Sequence, residues 1–383
     1  MAPSTGSGQA ERSPGDRIVI ALFALLLLAP AVLALTDHAG FDVAFIQNTE
    51  LRHPFVAPPV TRGALATGGW ERDVERQIAD AFPMRRTLIE TYDQVKFSGL
   101  RDSTSSLVIR GTNGWLYLGS AEREYLAGAP SDDAIAHLAA VYAARARWCA
   151  ERGIHYVFLL APNKSTIYPQ YLPAGVARVT RTGADRLLPM LKARGVRVVD
   201  VRAALVEASR RGDVYTHADT HWNDAGAYLA YRAIVASLAF AGVRDTIAPL
   251  TIRQHVDAGD GDLLRLSGVA GRIQNQWRHF DFPRRARDVA PPAYANDPDL
   301  ALYTPAATVV DDRSLPVAVA FGDSFMAQIQ PFFAESFRRT VFMHQTTTLT
   351  AQFDRHALEA ESPKVVIQEI VERNLVAGAQ FKP

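Results

Sequence analysis

The sequence predicts an α/β protein: a mostly parallel sheet with helices on both faces. Three observations predict it. First, five short apolar runs have the length of buried strands: "HYVFLLAP" (155–162), "VRVVDV" (196–201), "LPVAVAFG" (315–322), "RTVFMHQ" (339–345) and "KVVIQEI" (364–370). Second, helix-length segments with start and stop signals lie among them. Third, strand and helix patterns alternate from about residue 131 to the C-terminal end, which favours parallel strands joined by helical crossovers.

The elements follow in order. Residues 1–16 are polar, with Gly, Ser and Pro, and read as disordered, within a tail expected over 1–17. Residues 18–35, "IVIALFALLLLAPAVLAL", carry no charge. As a helix they would span about 27 Å, just enough for a bilayer core. The expectation is an uncleaved signal anchor with a short cytoplasmic tail, since Arg12 and Arg17 precede the run. A signal peptide cleaved near Ala34 is the competing reading. Residues 36–69 include "HPFVAPPVTRGALATGG" and read as an extended linker, so the main domain is expected over 70–383. Residues 70–98 look helical, with a break near Pro83. "VIRGTNGWLYLG" (108–119) reads as a hairpin turning at Asn113-Gly114.

The first long helix of the alternation begins after Ser131, an N-cap, with acids in its first turn and Gly153 at its end. "TGADRLLPMLKARG" (182–195) is a second helix. "NDAGAYLAYRAIVASLAFAG" (223–242) is a third, with Asn223 or Asp224 as its cap.

Composition narrows the function classes. The chain has 383 residues, and Lys+Arg 41 against Asp+Glu 40 leaves a net charge of +1. No basic block or basic aromatic stripe stands out, which argues against nucleic acid as a partner. Cys149 is the only cysteine, which excludes an intramolecular disulfide and a thiolate-rich zinc site. Within its helical stretch it reads as a buried structural thiol.

In a parallel sheet the site lies beyond the carboxyl ends of the strands. Four segments fall there: "APNKSTIYP" (161–169), "DTHWND" (219–224), "GDSF" (322–325) and "EIVERN" (369–374). Gly322 permits a sharp turn, and Ser324 then sits at or near a helix start, where unpaired backbone N–H groups can stabilise an oxyanion. A serine there can equally be only an N-cap, with Asp323 a turn residue. A serine nucleophile needs a base and an orienting acid. "DTHW" supplies both: His221 to take the Ser324 proton, Asp219 to hold the other ring nitrogen.

Two metal readings were open. If 215–221 were a regular strand, His217, Asp219 and His221 would share a face and suit zinc. The stretch runs straight into a helix, so a loop is expected, and no metal. "DAGDGD" (257–262) lacks glycine at the sixth position and glutamate at the twelfth of a calcium loop, and reads as a solvated turn.

With "DTHWND" and a late "GDSF" together, the chain resembles the SGNH-hydrolase-like polysaccharide O-acetyltransferases of the AlgJ/AlgX family, over roughly residues 45–380. The segments "GTNGWLYLG", "APNKSTIYP" and "EIVERN" resemble further blocks of that family. The motif order is reversed relative to ordinary GDSL esterases. The resemblance is to the membrane-anchored AlgJ type, because little chain follows "EIVERN". It implies a flavodoxin-like SGNH fold, with Ser324 as nucleophile, His221 as general base and acid, and Asp219 as orienting carboxylate. Lys164, Tyr168, Glu369 and Arg373 match family blocks and are expected to support the site or substrate. No cofactor is expected. The implied substrate is an anionic or neutral exopolysaccharide such as alginate. The implied acetyl donor partner is a multi-pass membrane acyltransferase. The implied location is the bacterial inner membrane, single-pass, with the catalytic domain in the periplasm. An exported carbohydrate acetylesterase with the same triad, or a non-catalytic glycan-binding scaffold, are the alternatives.

Overall fold

The computed structural model describes residues 13–36, 42–50, 52–99, 106–247, 249–271, 273–290, 292, 305–344 and 353–380. The chain divides into two compact units, Met1–Leu100 and Arg101–Pro383.

The first unit is helical: α1 (Pro14–Thr36), α2 (Val43–Thr49), α3 (Arg62–Ala66), α4 (Gly69–Asp80) and α5 (Arg85–Gln94), then a π-helical turn, Val95–Gly99. The apolar run thus lies in one helix of 23 residues. Among the described residues no helix is long and apolar enough to cross a membrane, and several side chains of this run lie outside the description. The polar tail before Ser13 also lies outside the described residues.

Two expectations change here. The segment 36–69 is not continuous extended linker, because Asp42 and Thr61 accept the backbone N–H groups of Phe45 and Ala64 and cap α2 and α3. Nor does α4 open the second unit. Its buried Asp80 accepts Phe55 N–H at 2.8 Å and pairs with Arg52, while Gln77 accepts Ala57 N–H at 2.8 Å. These bonds group α4 with the residues before it, and the division falls at Leu100 rather than before residue 70. The break at Pro83 lies between α4 and α5 as expected.

The second unit opens with the hairpin β1 (Val108–Arg110) and β2 (Leu116–Leu118), paired antiparallel. Its turn holds Asn113 at φ 55° and Gly114 at φ 81°, the left-handed pair a tight hairpin requires. Then come α6 (Ser120–Leu126), α7 (Asp132–Ala150), β3 (His155–Ala161), α8 (Lys164–Ile167), α9 (Gly183–Ala193), β4 (Arg197–Asp200), α10 (Arg202–Ser209) and α11 (Asp224–Ser237). Next are β5 (Arg253–Gly259), α12 (Asp262–Leu266), β6 (Asn275–Asp281), β7 (Arg287–Val289) and β8 (Ala306–Val309). The chain ends with β9 (Val317–Gly322), α13 (Ser324–Phe333), β10 (Arg339–His344), α14 (Arg355–Glu361) and β11 (Val365–Val371). Ser131 caps α7, and Thr182 and Asp185 form a capping box on α9.

The main sheet has seven strands in the order β4-β3-β11-β9-β10-β8-β7. The first five run parallel; β8 and β7 add an antiparallel edge. The sheet is therefore mixed. Strands β5 and β6 form a separate antiparallel ribbon that the apolar pattern did not predict, because most of its residues are exposed.

Successive strand residues point to opposite faces and build two cores. Val157, Leu159, Ala318, Ala320, Val365 and Ile367 pack with Tyr231 and Ile234 of α11 and Phe325 and Ile329 of α13. Tyr156, Phe158, Val319, Phe321, Val366 and Ile370 pack with Leu138 and Tyr142 of α7 and Leu187 and Leu191 of α9. Cys149 lies in this second core, fully buried, and burial pushes its thiol up to about 12, consistent with an inert structural role.

Candidate active site

The site grows from the carboxyl ends of β3, β9 and β11, with one loop reaching over them. β9 must end at glycine: a Cβ on Gly322 would lie 2.5 Å from Met326 Cβ and 2.7 Å from Glu369 Oε2. Asp323 then caps α13, its Oδ1 accepting Phe325 N–H at 3.0 Å. Its Oδ2 accepts Val371 N–H at 2.9 Å and Asn374 Nδ2 at 3.0 Å, and its own N–H donates to Glu369 Oε2 at 2.9 Å. The capping role thus falls to Asp323. Ser324, one residue on, does not spend its hydroxyl on the cap, and its own N–H has no acceptor among the described residues.

The loop carrying the histidine is not a regular strand. Tyr215 and Trp222 form an isolated bridge that closes a turn over 216–221. Asn223 caps α11 by accepting from Ala225 and Gly226 N–H, and Trp222 Nε1 donates to Phe325 O at 3.2 Å, tying the loop to α13. From the start of α8, just after β3, buried Lys164 reaches under the loop. Its Nζ donates to three backbone carbonyls, Thr216 at 3.0 Å, His217 at 2.9 Å and Asp219 at 2.7 Å. That satisfies all three ammonium protons. Burial still drives the Lys164 pKa down to about 8. Tyr168 supports the same loop from below, its hydroxyl accepting Val214 N–H at 2.9 Å.

The three residues expected to act together meet. His221 Nε2 lies 2.7 Å from Ser324 Oγ, and His221 Nδ1 lies 2.7 Å from Asp219 Oδ1. With the Nδ1 proton directed at Asp219, Nε2 is free to accept the serine proton. Burial alone would raise Asp219. The bonds from the His221 ring and from the N–H groups of Asp262 and His221 outweigh it and hold the carboxyl at about 2. The acid is therefore ionised at neutral pH.

Asp262 belongs to this group, although "DAGDGD" had read as a solvated turn. Its N–H donates to Asp219 Oδ2 at 2.8 Å, and its carboxylate accepts Thr220 N–H at 2.8 Å and the Thr220 hydroxyl. Burial, then the charge of Asp219, raises its pKa. The contact spans 43 residues of sequence, so no local signal marks it. Only the Gly-Asp pair before the apolar "LLRL" hinted at a helix start there.

His217 stands apart: its Nε2 faces Asp213 at 3.0 Å and its ring packs on Trp115, so the set His217, Asp219, His221 does not converge. Asp219, His221 and Asp262 do have ligand atoms within 4.8 Å of one another. Their hydrogen bonds are already allotted among themselves, Thr220 and Ser324.

Glu369, on β11, and Arg373, two residues past its end, contact the residues on either side of the serine, Asp323 and Phe325. Glu369 is fully buried; burial and the neighbouring Asp323 hold its carboxyl far above the usual range. Glu372, between them in sequence, is also fully buried and raised to about 7 by burial; it accepts Asn163 N–H at 2.9 Å and the Thr166 hydroxyl. Arg373 N–H donates to Asn163 Oδ1 at 3.2 Å, and its guanidinium lies 5.3 Å from the Phe325 ring.

Comparison with known proteins agrees with this architecture. The family model "SGNH hydrolase-like domain, acetyltransferase AlgX" matches residues 108–372. A "Probable alginate O-acetylase AlgJ" of Azotobacter vinelandii is 23% identical over 247 residues, 63% of this chain and 58% of the relative. A protein of the same description from Pseudomonas syringae is 25% identical over 175 residues, 45% of this chain and 43% of the relative. The chain spans about half the length of these curated relatives. Bacillus cereus PatB1 superposes with TM-score 0.53 at 15% identity, over 70% of this chain and 96% of PatB1, which shows a shared fold. The family match covers more than half the chain and contains both the histidine loop and the serine turn, so this chain belongs to the SGNH hydrolase-like acetyltransferase family of AlgX and AlgJ.

Proposed function

We propose that this chain is a polysaccharide O-acetyltransferase that works through an acyl-enzyme on Ser324. The observation that carries the reading is the 2.7 Å approach of His221 Nε2 to Ser324 Oγ, with Asp219 at 2.7 Å behind the ring. His221 takes the hydroxyl proton as Oγ bonds to the acetyl carbon. It returns that proton to the oxygen of the departing donor, and the acetyl group stays on Ser324. A sugar hydroxyl, deprotonated by His221, then attacks the ester; the Oγ–C bond breaks, Ser324 Oγ takes the proton back from His221, and the sugar leaves acetylated. Asp219 stabilises the imidazolium in both halves, and the unpaired Ser324 N–H faces the oxyanion.

The acceptor in this reading is an exopolysaccharide, and the "alginate O-acetylase" description of the relatives supports that class. We read α1 as a single-pass inner-membrane anchor, with the catalytic unit in the periplasm; the support is the uncharged run 18–35 and the helix formed over it. The acetyl donor partner is then a multi-pass membrane acyltransferase, because an exported enzyme lacks direct access to cytoplasmic acetyl carriers.

The test supplies p-nitrophenyl acetate and an uronate or glucan oligosaccharide to the purified protein. Acetylated oligosaccharide is expected. Free acetate alone would identify an esterase. A Ser324→Ala variant that retains full polymer acetylation in cells would overturn the catalytic reading.

A further inference from the structure

We propose that Arg373 is a further catalytic residue: its guanidinium donates to the acetyl carbonyl oxygen as that oxygen becomes an oxyanion, alongside the Ser324 N–H. The proposal rests on the acyl-enzyme reading above.

Placement comes first. β9 and β11 are parallel neighbours, with Gln368 opposite Phe321. Ser324 lies two residues beyond the end of β9, and Arg373 two residues beyond the end of β11. The Asp323 carboxylate binds both Val371 N–H and Asn374 Nδ2, so the residue before the serine ties down the backbone before Arg373 and the side chain after it. Phe325 connects the groups directly. The His221 ring centroid lies 5.1 Å from the Phe325 centroid and the Arg373 guanidinium carbon 5.3 Å from it. The base and the cation thus share the aromatic ring that follows the nucleophile.

Partners come second. Arg373 is only 9% exposed, yet its guanidinium makes no ion pair and no hydrogen bond among the described residues. Its nitrogens are not among the fully enclosed, unsatisfied atoms, so they border open space. A guanidinium kept only to neutralise buried acids would be bridged to them. Here Glu122 is engaged by Ser165, Glu369 by Asp323 N–H, and Glu372 by Asn163 and Thr166. Burial shifts all three carboxyls upward, toward their neutral forms, and none of them bridges to the guanidinium. A weakly hydrated, planar cation with five donors suits a developing oxygen anion, and the Arg373 backbone that carries it is fixed by its N–H bond to Asn163 Oδ1.

The step balances without a further reactant. Oγ–C bond formation sends the carbonyl π pair to oxygen, and the Oγ proton to His221. Collapse reforms the carbonyl and breaks the bond to the leaving oxygen, which takes the proton back. Arg373 stays protonated throughout.

The experiment uses the full chain, p-nitrophenyl acetate and Arg373→Gln, Arg373→Lys and Arg373→Ala. The neutral, sugar-free ester separates oxyanion binding from recognition of an acidic sugar. With a wild-type melting curve, Arg373→Gln is expected to release p-nitrophenolate ~10²–10³-fold more slowly, with KM little changed. Guanidinium chloride at millimolar concentration is expected to restore part of the Arg373→Ala rate. A wild-type rate in Arg373→Gln, or a loss confined to KM, overturns the proposal. If Arg373→Gln does not fold, Arg373→Lys decides: a tenfold or larger fall in kcat is expected, and an unchanged kcat overturns it. Failure of the parent reading looks different, because wild-type protein would then carry no acetyl group on Ser324 at all.

Discussion

Replacing Lys164 with methionine keeps the length of the side chain and removes the ammonium that holds the histidine loop. Three carbonyls, those of Thr216, His217 and Asp219, lose donors at 3.0, 2.9 and 2.7 Å. Hydrogen bonds to a charged group contribute about 1.5–3 kcal/mol each, roughly 5–9 kcal/mol for three. Against this stands the cost of burying the charge, which appears as the fall in pKa from 10.5 to about 8. At about 1.4 kcal/mol per pK unit that cost is ~3 kcal/mol. The expected net destabilisation of Lys164→Met is therefore ~2–6 kcal/mol, measured by urea unfolding at pH 7.

The sign of the pH dependence follows from the same numbers. Between about pH 8 and 10.5 the unfolded chain retains a proton that the native Lys164 has released. Wild-type stability should therefore rise with pH through that window, by up to ~3 kcal/mol from this group, and Lys164→Met should lack the rise. Activity should fall as well. The Asp219 carbonyl is one of the three anchors, and a misplacement of about 1 Å at a reacting group costs on the order of 10²-fold. A variant within 1 kcal/mol of wild type, with unchanged kcat, would refute the view that Lys164 positions the loop.

Two further outcomes follow from neighbouring groups. Asp219→Asn should fold normally and lose on the order of 10⁴ in kcat, because the amide no longer selects the productive imidazole tautomer; single-turnover acetylation measures it. Glu372→Gln tests the buried carboxyl raised from 4.5 to about 7. A raised acid favours the native state below its unfolded pKa, and that advantage is lost as pH climbs through about 7. Replacing it should flatten this loss, so that the variant gains up to ~3 kcal/mol over wild type above pH 7 relative to pH 4.5, read from chemical melts across that range.

Much of the parallel core was legible because each central strand is buried on both faces and shows as a short apolar run. The Ser324 turn was legible for a related reason. Gly322 followed by Asp-Ser at a strand end leaves few backbone options, although Asp323 rather than Ser324 proves to be the cap. His221 and Asp219 could be paired because they are two residues apart. The other features depend on distant chain. The β5–β6 ribbon is mostly exposed and carries no apolar alternation, and β8 is four residues long. Asp262 joins the site across 43 residues, and the three-carbonyl grip of Lys164 spans 52 to 55. Sequence periodicity reports which face of an element is buried, not which loop it meets.

The central claim is that Ser324 carries the acetyl group. Brief reaction with p-nitrophenyl acetate, an acid quench and peptide mapping by mass spectrometry test it directly. One acetyl group on the peptide containing Ser324 is expected, lost in Ser324→Ala and strongly reduced in His221→Ala. An unmodified Ser324 peptide during active turnover, or acetyl on another residue at the full rate, would contradict the account.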